Sequence, residues 1–167
     1  MKQTNLLTNT FKLALTLSLM PAFISAQCEL FKSETTELME YSQQARVNSD
    51  SLMAYSEIAG YADSFSLARE NTRKARIYAE EALAAAHEAV SLAGEAQYYA
   101  EVCGIDAVVT NSIEAESRAI DARDFADVAM VNAKKAIGAR KLGDIHYHMR
   151  KSLNAAREAQ KSAMAAV

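Results

Sequence analysis

The sequence predicts an all-α protein, an antiparallel up-down bundle of four helices that follows an N-terminal signal peptide. The chain is rich in alanine and charged residues and has only 5 glycines, 1 proline and no tryptophan, a composition that favours helices. Alanine recurs at alternating steps of four and three residues, and this average spacing of about 3.5 is typical of left-handed helix packing. No alternating run of β-branched residues bounded by turn residues occurs, so we expect no strands.

Residues 1–26 have the pattern of a secretory signal. Lys2 and Lys12 precede an apolar run over residues 13–26 that ends in small residues, the last of them Ala26. A basic start, a short apolar middle and a small-residue exit predict a signal peptide that is cleaved after Ala26. The run is too short and too interrupted for a membrane span of ~20 residues, although an uncleaved N-terminal anchor is the alternative.

The predicted mature chain, residues 27–167, is mildly acidic and suits a single domain. Cleavage removes 2 of the 18 basic residues and none of the 21 acidic residues, which leaves a net charge of −5. This balance argues against a nucleic-acid partner, which needs clustered basic residues, and against tight binding to an anionic membrane surface. We expect no integral membrane span in this segment. Gln27 argues against lipid anchoring at Cys28, because lipoprotein signals usually carry a small residue at that position. The expected location is the periplasm or the cell exterior.

The four-three spacing occurs in three stretches, each of which predicts a helix with a seam of mostly small side chains. The seams are Ala75, Ala79, Ala82, Ala86, Ala89, Ala93, Ala96, Ala100 and Cys103; Ala115, Ala119, Ala122, Ala126, Ala129, Ala133 and Ala136; and Ile145, Met149, Ser152, Ala156, Ala159, Ala163 and Ala166. The region before them is predicted to be a helix with larger residues inside: Ala54, Ile58, Tyr61, Phe65 and Ala68, with Leu38, Ala45 and Leu52 on a neighbouring face.

Capping residues predict where the first two helices begin and end. Ser33 is a candidate N-cap for the first helix, and Asn71 is a candidate cap for the second. A break near Asp50 is the alternative to one near Asn71, because the four-three frame runs unbroken from residue 54 to residue 103. Four helices of similar length bury their faces better than one overlong helix, which favours Asn71.

Two glycine–acid pairs mark the later boundaries. Gly104 stands just past a helix end and Asp106 can cap the next helix, and Gly143 and Asp144 repeat that arrangement. The connections are short, so sequential helices should be antiparallel. The predicted helices cover about residues 34–69, 72–103, 107–141 and 145–166.

Alanine seams allow two helices to approach to about 8 Å, near the lower limit of helix packing. Larger side chains beside the seams must then supply most of the buried apolar area. These are expected to be Tyr78, Leu83, Val90, Leu92, Tyr99 and Val102 on the second helix, and Ile113, Ile120, Phe125, Val128, Met130 and Ile137 on the third. The alternative is that the seams partly form an interface between chains, as in an extended coiled coil.

The two cysteines, Cys28 and Cys103, are predicted to form an intramolecular disulfide. An even cysteine count in an exported protein favours a disulfide. If the first helix runs up from Ser33 and the second runs down to Cys103, the start of one lies beside the end of the other. The alternative is that Cys103 is a buried small residue, while Cys28 is free or pairs between chains.

Asp144, His146 and His148 are the best candidates for a metal site in the sequence. A di-iron bundle needs Glu-x-x-His on two helices, and covalent haem needs Cys-x-x-Cys-His; both patterns are absent, and we expect no cofactor. The two histidines lie on different faces of an ideal helix, but a distorted first turn could bring them together with Asp144 around a divalent cation. The other interpretation is two surface histidines beside a helix cap.

No pattern in the sequence indicates catalysis. There is no Gly-x-Ser-x-Gly elbow and no glycine-rich phosphate loop. The sequence therefore predicts an exported, non-catalytic bundle with a structural or protein-interaction role in the cell envelope or outside the cell. Its partner would be another envelope protein or a second copy of the chain. The alternative is a periplasmic bundle that binds a divalent metal ion.

Overall fold

The structure, a computed structural model, describes the backbone of residues 4–166 and the side chains of residues 28–105 and 109–166. The described chain forms four helices and no strand: α1 (Thr4–Tyr61), α2 (Phe65–Val102), α3 (Asp106–Gly138) and α4 (Leu142–Ala165). Each helix packs on its neighbours in chain order, and α4 closes the ring by packing on α1. The predicted all-α four-helix bundle is therefore confirmed.

The predicted signal peptide, residues 1–26, lies outside the residues whose side chains are described, and it stays a prediction. None of the helices in the described part of the chain is long and apolar enough to cross a membrane.

The seams predicted for α2, α3 and α4 face the centre of the bundle. On α2 every seam alanine from Ala75 to Ala100 is buried, and Cys103 is half-buried. On α3 the seam is buried from Ala119 to Ala136, and on α4 it is buried over its whole length. Packing at four-three steps within one chain therefore explains the alanine pattern.

The inward face predicted for the first helix is right for Leu38, Ala45 and Leu52, which are buried, and wrong for the other set of residues on that helix. Ala54, Ile58 and Tyr61 are exposed on the outer side of α1. The buried face also steps by four and three: it consists of Leu38, Ser42, Ala45, Ser49, Leu52, Ser56 and Ala59. The positions predicted to face inward were misassigned for two reasons. Their four-three spacing continues across the turn into α2, and serines occupy the buried positions of α1 that alanine fills in the other helices.

The break between the first two helices lies at residues 62–64, not at Asn71 or Asp50. The Ser64 hydroxyl accepts the Leu67 N–H at 3.2 Å, so Ser64 is the N-cap of α2. Asn71 does not cap a helix, because its side chain donates to the Leu67 carbonyl at 2.9 Å inside α2. The predicted helices 34–69 and 72–103 must be corrected accordingly. Ser33 also lies inside α1, which begins well before it.

The glycine after α2 ends that helix as predicted. Gly104 has a φ of +68°, a left-handed conformation that glycine adopts without a steric penalty. The Ile105 N–H then donates to the Ala100 carbonyl at 3.1 Å. Asp106 is the first residue of α3 and not its cap, because Ile105 occupies the N-cap position.

The second glycine–acid pair does not mark a helix end. α3 ends at Gly138, and the chain is extended at Ala139 and at Lys141, the N-cap of α4. Gly143 and Asp144 therefore lie in the first turn of α4. The helix predicted to end at residue 141 therefore ends at Gly138, and the helix predicted to begin at residue 145 begins at Leu142. Both bounds lie earlier than predicted because the extended residues of this turn come before Gly143.

The core differs between the two ends of the bundle. The turn half, next to the α1–α2 and α3–α4 turns, has one continuous buried cluster that includes Leu52, Ile145 and Met149, all fully buried. The distal half has three smaller clusters, in which Leu38 and Leu92 are the largest buried side chains and most others are alanine. The large residues predicted to fill α3 only partly do so, because Ile113, Phe125 and Val128 are exposed.

A disulfide joins Cys28 on α1 to Cys103 just after α2, at the end of the bundle farthest from the turn half. The two Cα atoms are 5.9 Å apart and 75 residues apart in sequence. The topology that predicted this pair is therefore present, although Cys28 lies within α1 and not before it.

Candidate functional site

The three predicted metal ligands lie near the start of α4, where His146 and His148 make contacts with other groups. His146 Nε2 is 3.0 Å from the Ala62 carbonyl oxygen and forms a hydrogen bond with it. The ring of His148 makes an edge contact with Tyr147, at a centroid distance of 5.1 Å. Asp144 is exposed in the first turn. No three His, Cys, Asp or Glu side chains among the described residues are arranged to hold a metal ion.

The His146 contact has a structural consequence at the turn between α1 and α2. Ala62 follows the last residue of α1, so its carbonyl has no partner within that helix. A His146 ring that carries a proton on Nε2 donates to this carbonyl. The contact therefore links the first turn of α4 to the turn between α1 and α2 and helps to position the residues of that turn.

An open, mostly apolar cleft lies at this turn. We call it the turn cleft: it has a volume of about 600 Å³ and is lined by Ala54, Glu57, Ile58, Tyr61, Ala62, Asp63 and Leu67. Three large apolar side chains meet in it, with exposed fractions of 46% for Ile58, 64% for Tyr61 and 45% for Leu67. Single exposed apolar residues are common, but such residues grouped in one concave place mark a candidate interaction site.

Close packing of α4 supports one wall of the turn cleft. Gly60 is buried, and a Cβ built on it would lie 3.4 Å from Arg150 Cγ on α4. The Arg150 guanidinium lies 6.0 Å from the centroid of the Tyr61 ring, within reach of a cation–π contact. The Tyr61 ring is thus held against α4 on one side and open to solvent on the other.

The rim of the turn cleft carries unbalanced negative charge. Neither Glu57 nor Asp63 has an ion-pair partner among the described side chains. One turn further along α2, by contrast, Lys74 Nζ lies 2.8 Å from Glu70. This hydrogen bond lowers the pKa of Glu70 and raises the pKa of Lys74. The rim of the cleft therefore offers two carboxylates without an ion-pair partner to a cationic group.

Sequence reasoning missed the turn cleft because it assigned Ile58 and Tyr61 to the core. The signal that could have found it is the spacing of Ser42, Ser49 and Ser56, which keeps the four-three frame with Leu52. Once that frame is accepted, the two large residues must point outward.

Comparisons of the chain with protein-family models, with curated proteins and with solved structures give no match.

Proposed function

We propose that this protein is an exported, non-catalytic helical bundle that acts by binding another protein of the cell envelope or the cell exterior. The observation that carries the proposal is the turn cleft, where Ile58, Tyr61 and Leu67 are exposed together beside the buried cluster of the turn half. An apolar contact surface held by well-packed helices loses little conformational freedom on binding.

The chemistry of the cleft defines the partner segment that would fit. Its floor is apolar and its rim carries Glu57 and Asp63, so the complementary segment presents one apolar side chain flanked by lysine or arginine. Arg150 beside Tyr61 would face an acidic or aromatic group on that segment.

The location outside the cytoplasm rests on two further observations. The basic and apolar pattern of residues 1–26 is that of a secretory signal. The Cys28–Cys103 disulfide is of the kind that persists in oxidising compartments and is rare in the cytosol.

Site-specific photocrosslinking in intact cells tests the proposal. A photoreactive amino acid is placed at position 61, and in a separate strain at position 98. Tyr98 on α2 is 58% exposed, so it matches Tyr61 in residue type and exposure but lies far from the turn cleft. We expect a discrete crosslinked species from position 61 in the envelope or secreted fraction and none from position 98.

The substitution Ile58→Asp serves as the second arm of this experiment. Ile58 is exposed, so its replacement should leave thermal unfolding nearly unchanged, while the buried charge at the contact should abolish the crosslink. Equal crosslinking at both positions, or a crosslink that survives Ile58→Asp, would contradict the proposal. A crosslinked species with twice the mass of the chain would identify the partner as a second copy.

A further inference from the structure

The predicted cleavage after Ala26 would make Gln27 the first residue of the exported chain. A glutamine at the start of a chain can react with itself, because three carbon atoms separate its α-amine from its side-chain amide carbon. Attack of the amine on that carbon closes a five-membered lactam, which is called a pyroglutamyl residue. The reaction is favoured because both groups belong to one residue and cannot diffuse apart.

The disulfide holds the residue after Gln27 at the end of the bundle. Cys28 is half-buried and bonded to Cys103, with 5.9 Å between the two Cα atoms. The exported chain would therefore have a single residue before this covalent bond, and its amine would not lie on a long flexible tail. Glu29 and Leu30 are exposed, so this part of α1 is accessible to water.

The helical backbone of α1 does not oppose closure of the lactam. Residue 27 and the residues after it lie within α1. Ring closure uses only atoms of residue 27 and leaves the peptide bond to Cys28 unchanged. The lactam keeps one N–H group, and the first N–H groups of a helix need no partner within it. The ring can therefore form while the helix and the disulfide stay intact.

The charges at this end of α1 favour a neutral chain start. After cleavage the α-ammonium group would stand in the first turn of a helix, where the helix dipole makes a positive charge unfavourable. The first described carboxylate of α1 belongs to Glu29, and its Oε1 already accepts a hydrogen bond from Lys32 Nζ at 3.0 Å. Formation of the lactam removes the ammonium charge and thus the unfavourable interaction with the dipole.

We propose, building on the proposed export of the chain and on cleavage after Ala26, that Gln27 is converted to pyroglutamate. The amine nitrogen forms a bond to the side-chain Cδ, and the bond between Cδ and the amide nitrogen breaks. The amide nitrogen takes a proton from the amine and leaves as ammonia. The reaction consumes no oxidant, reductant or other reactant. Its product is a neutral, blocked terminus one residue before the Cys28–Cys103 bond.

Mass spectrometry of the exported protein tests this proposal. The full chain is expressed in a host that exports it, and the exported protein is purified without reductant and incubated at neutral pH. We expect the intact mass of residues 27–167 with one disulfide, lowered by the mass of one ammonia molecule. Fragmentation of the first peptide should locate this loss at Gln27, and Edman degradation should release no first residue.

The substitution Gln27→Asn is the matched control. Asparagine keeps the amine and the amide, but its side chain is one carbon shorter, so the same attack would close a strained four-membered ring. This variant should keep its ammonia and release asparagine in the first Edman cycle. A wild-type chain that begins with unmodified Gln27 after the incubation would overturn the proposal and leave the cleavage site supported. A chain that begins at another residue would overturn both.

Discussion

The turn half and the distal half share the same four-three seams but bury different side chains. In the turn half Leu52, Ile145 and Met149 are fully buried in one cluster, and the rings of Tyr55 and Tyr78 stack beside it at 5.4 Å. The distal half has mostly alanine inside, in three separate clusters. The spacing of apolar residues alone therefore does not show how much buried apolar surface stabilises each end of a bundle.

The difference has an energetic meaning. Full burial of a leucine, isoleucine or methionine side chain contributes about 2 kcal/mol, whereas a single methylene-sized group contributes about 0.8 kcal/mol. Alanine seams compensate only partly, through close contact between helices. The Cys28–Cys103 disulfide lies at the end where apolar burial is smallest, so the covalent bond stabilises the weaker half.

The largest expected effect follows from removing that disulfide. Replacing both cysteines by serine should lower the free energy of unfolding by about 4 kcal/mol, because a loop of 75 residues is no longer closed in the unfolded chain. Hydrogen exchange should show protection lost first in the distal half, around Ala89 and Ala119. Thermal unfolding measures the total, and equal loss of protection in both halves would contradict the assignment of the weaker half.

A smaller effect is expected from truncating one large core residue in each half. Ile145→Ala should lower the free energy of unfolding by about 3–4 kcal/mol, because Ile145 is fully buried in the continuous cluster. Leu92→Ala, in a smaller cluster at 8% exposure, should cost about 2 kcal/mol, because the site is less enclosed. Urea unfolding of both variants measures this difference, and an equal or larger cost for Leu92→Ala would refute the comparison.

The sequence predicted the fold well where small apolar residues mark the seam. Ala82, Ala126 and Ala159 belong to three different predicted seams, and they meet in one cluster of the bundle. The break after Tyr61 was not predicted, because the four-three frame happens to continue through a turn that Ser64 caps. A local capping bond depends on backbone geometry, which hydropathy patterns do not encode.

Less of the candidate sites was predictable. The histidines at 146 and 148 are adjacent to a predicted cap, but only the structure shows that His146 bonds to Ala62 on another element. Gly60 and Arg150 are far apart in sequence, and their proximity depends on the register between α1 and α4. Sequence periodicity gives the face of each helix but leaves this register open.

The smallest expected effect compares two buried serines, one in each half. In the turn half the Ser152 hydroxyl donates to the Ala129 carbonyl at 3.0 Å and lies 3.4 Å from the Ser56 hydroxyl. Ser152→Ala should therefore cost about 1 kcal/mol, because a bond is lost and Ser56 loses its partner.

Ser42 in the distal half is the matched case, since it is equally buried but unpaired. Ser42→Ala removes a hydroxyl that has no partner and improves helix propensity by about 0.5 kcal/mol. We expect the free energy of unfolding to stay unchanged or to rise by up to about 1 kcal/mol. Chemical unfolding measures the free energy of unfolding of both variants. A loss for Ser42→Ala as large as that for Ser152→Ala would show that the Ser42 hydroxyl has a hydrogen-bond partner in solution.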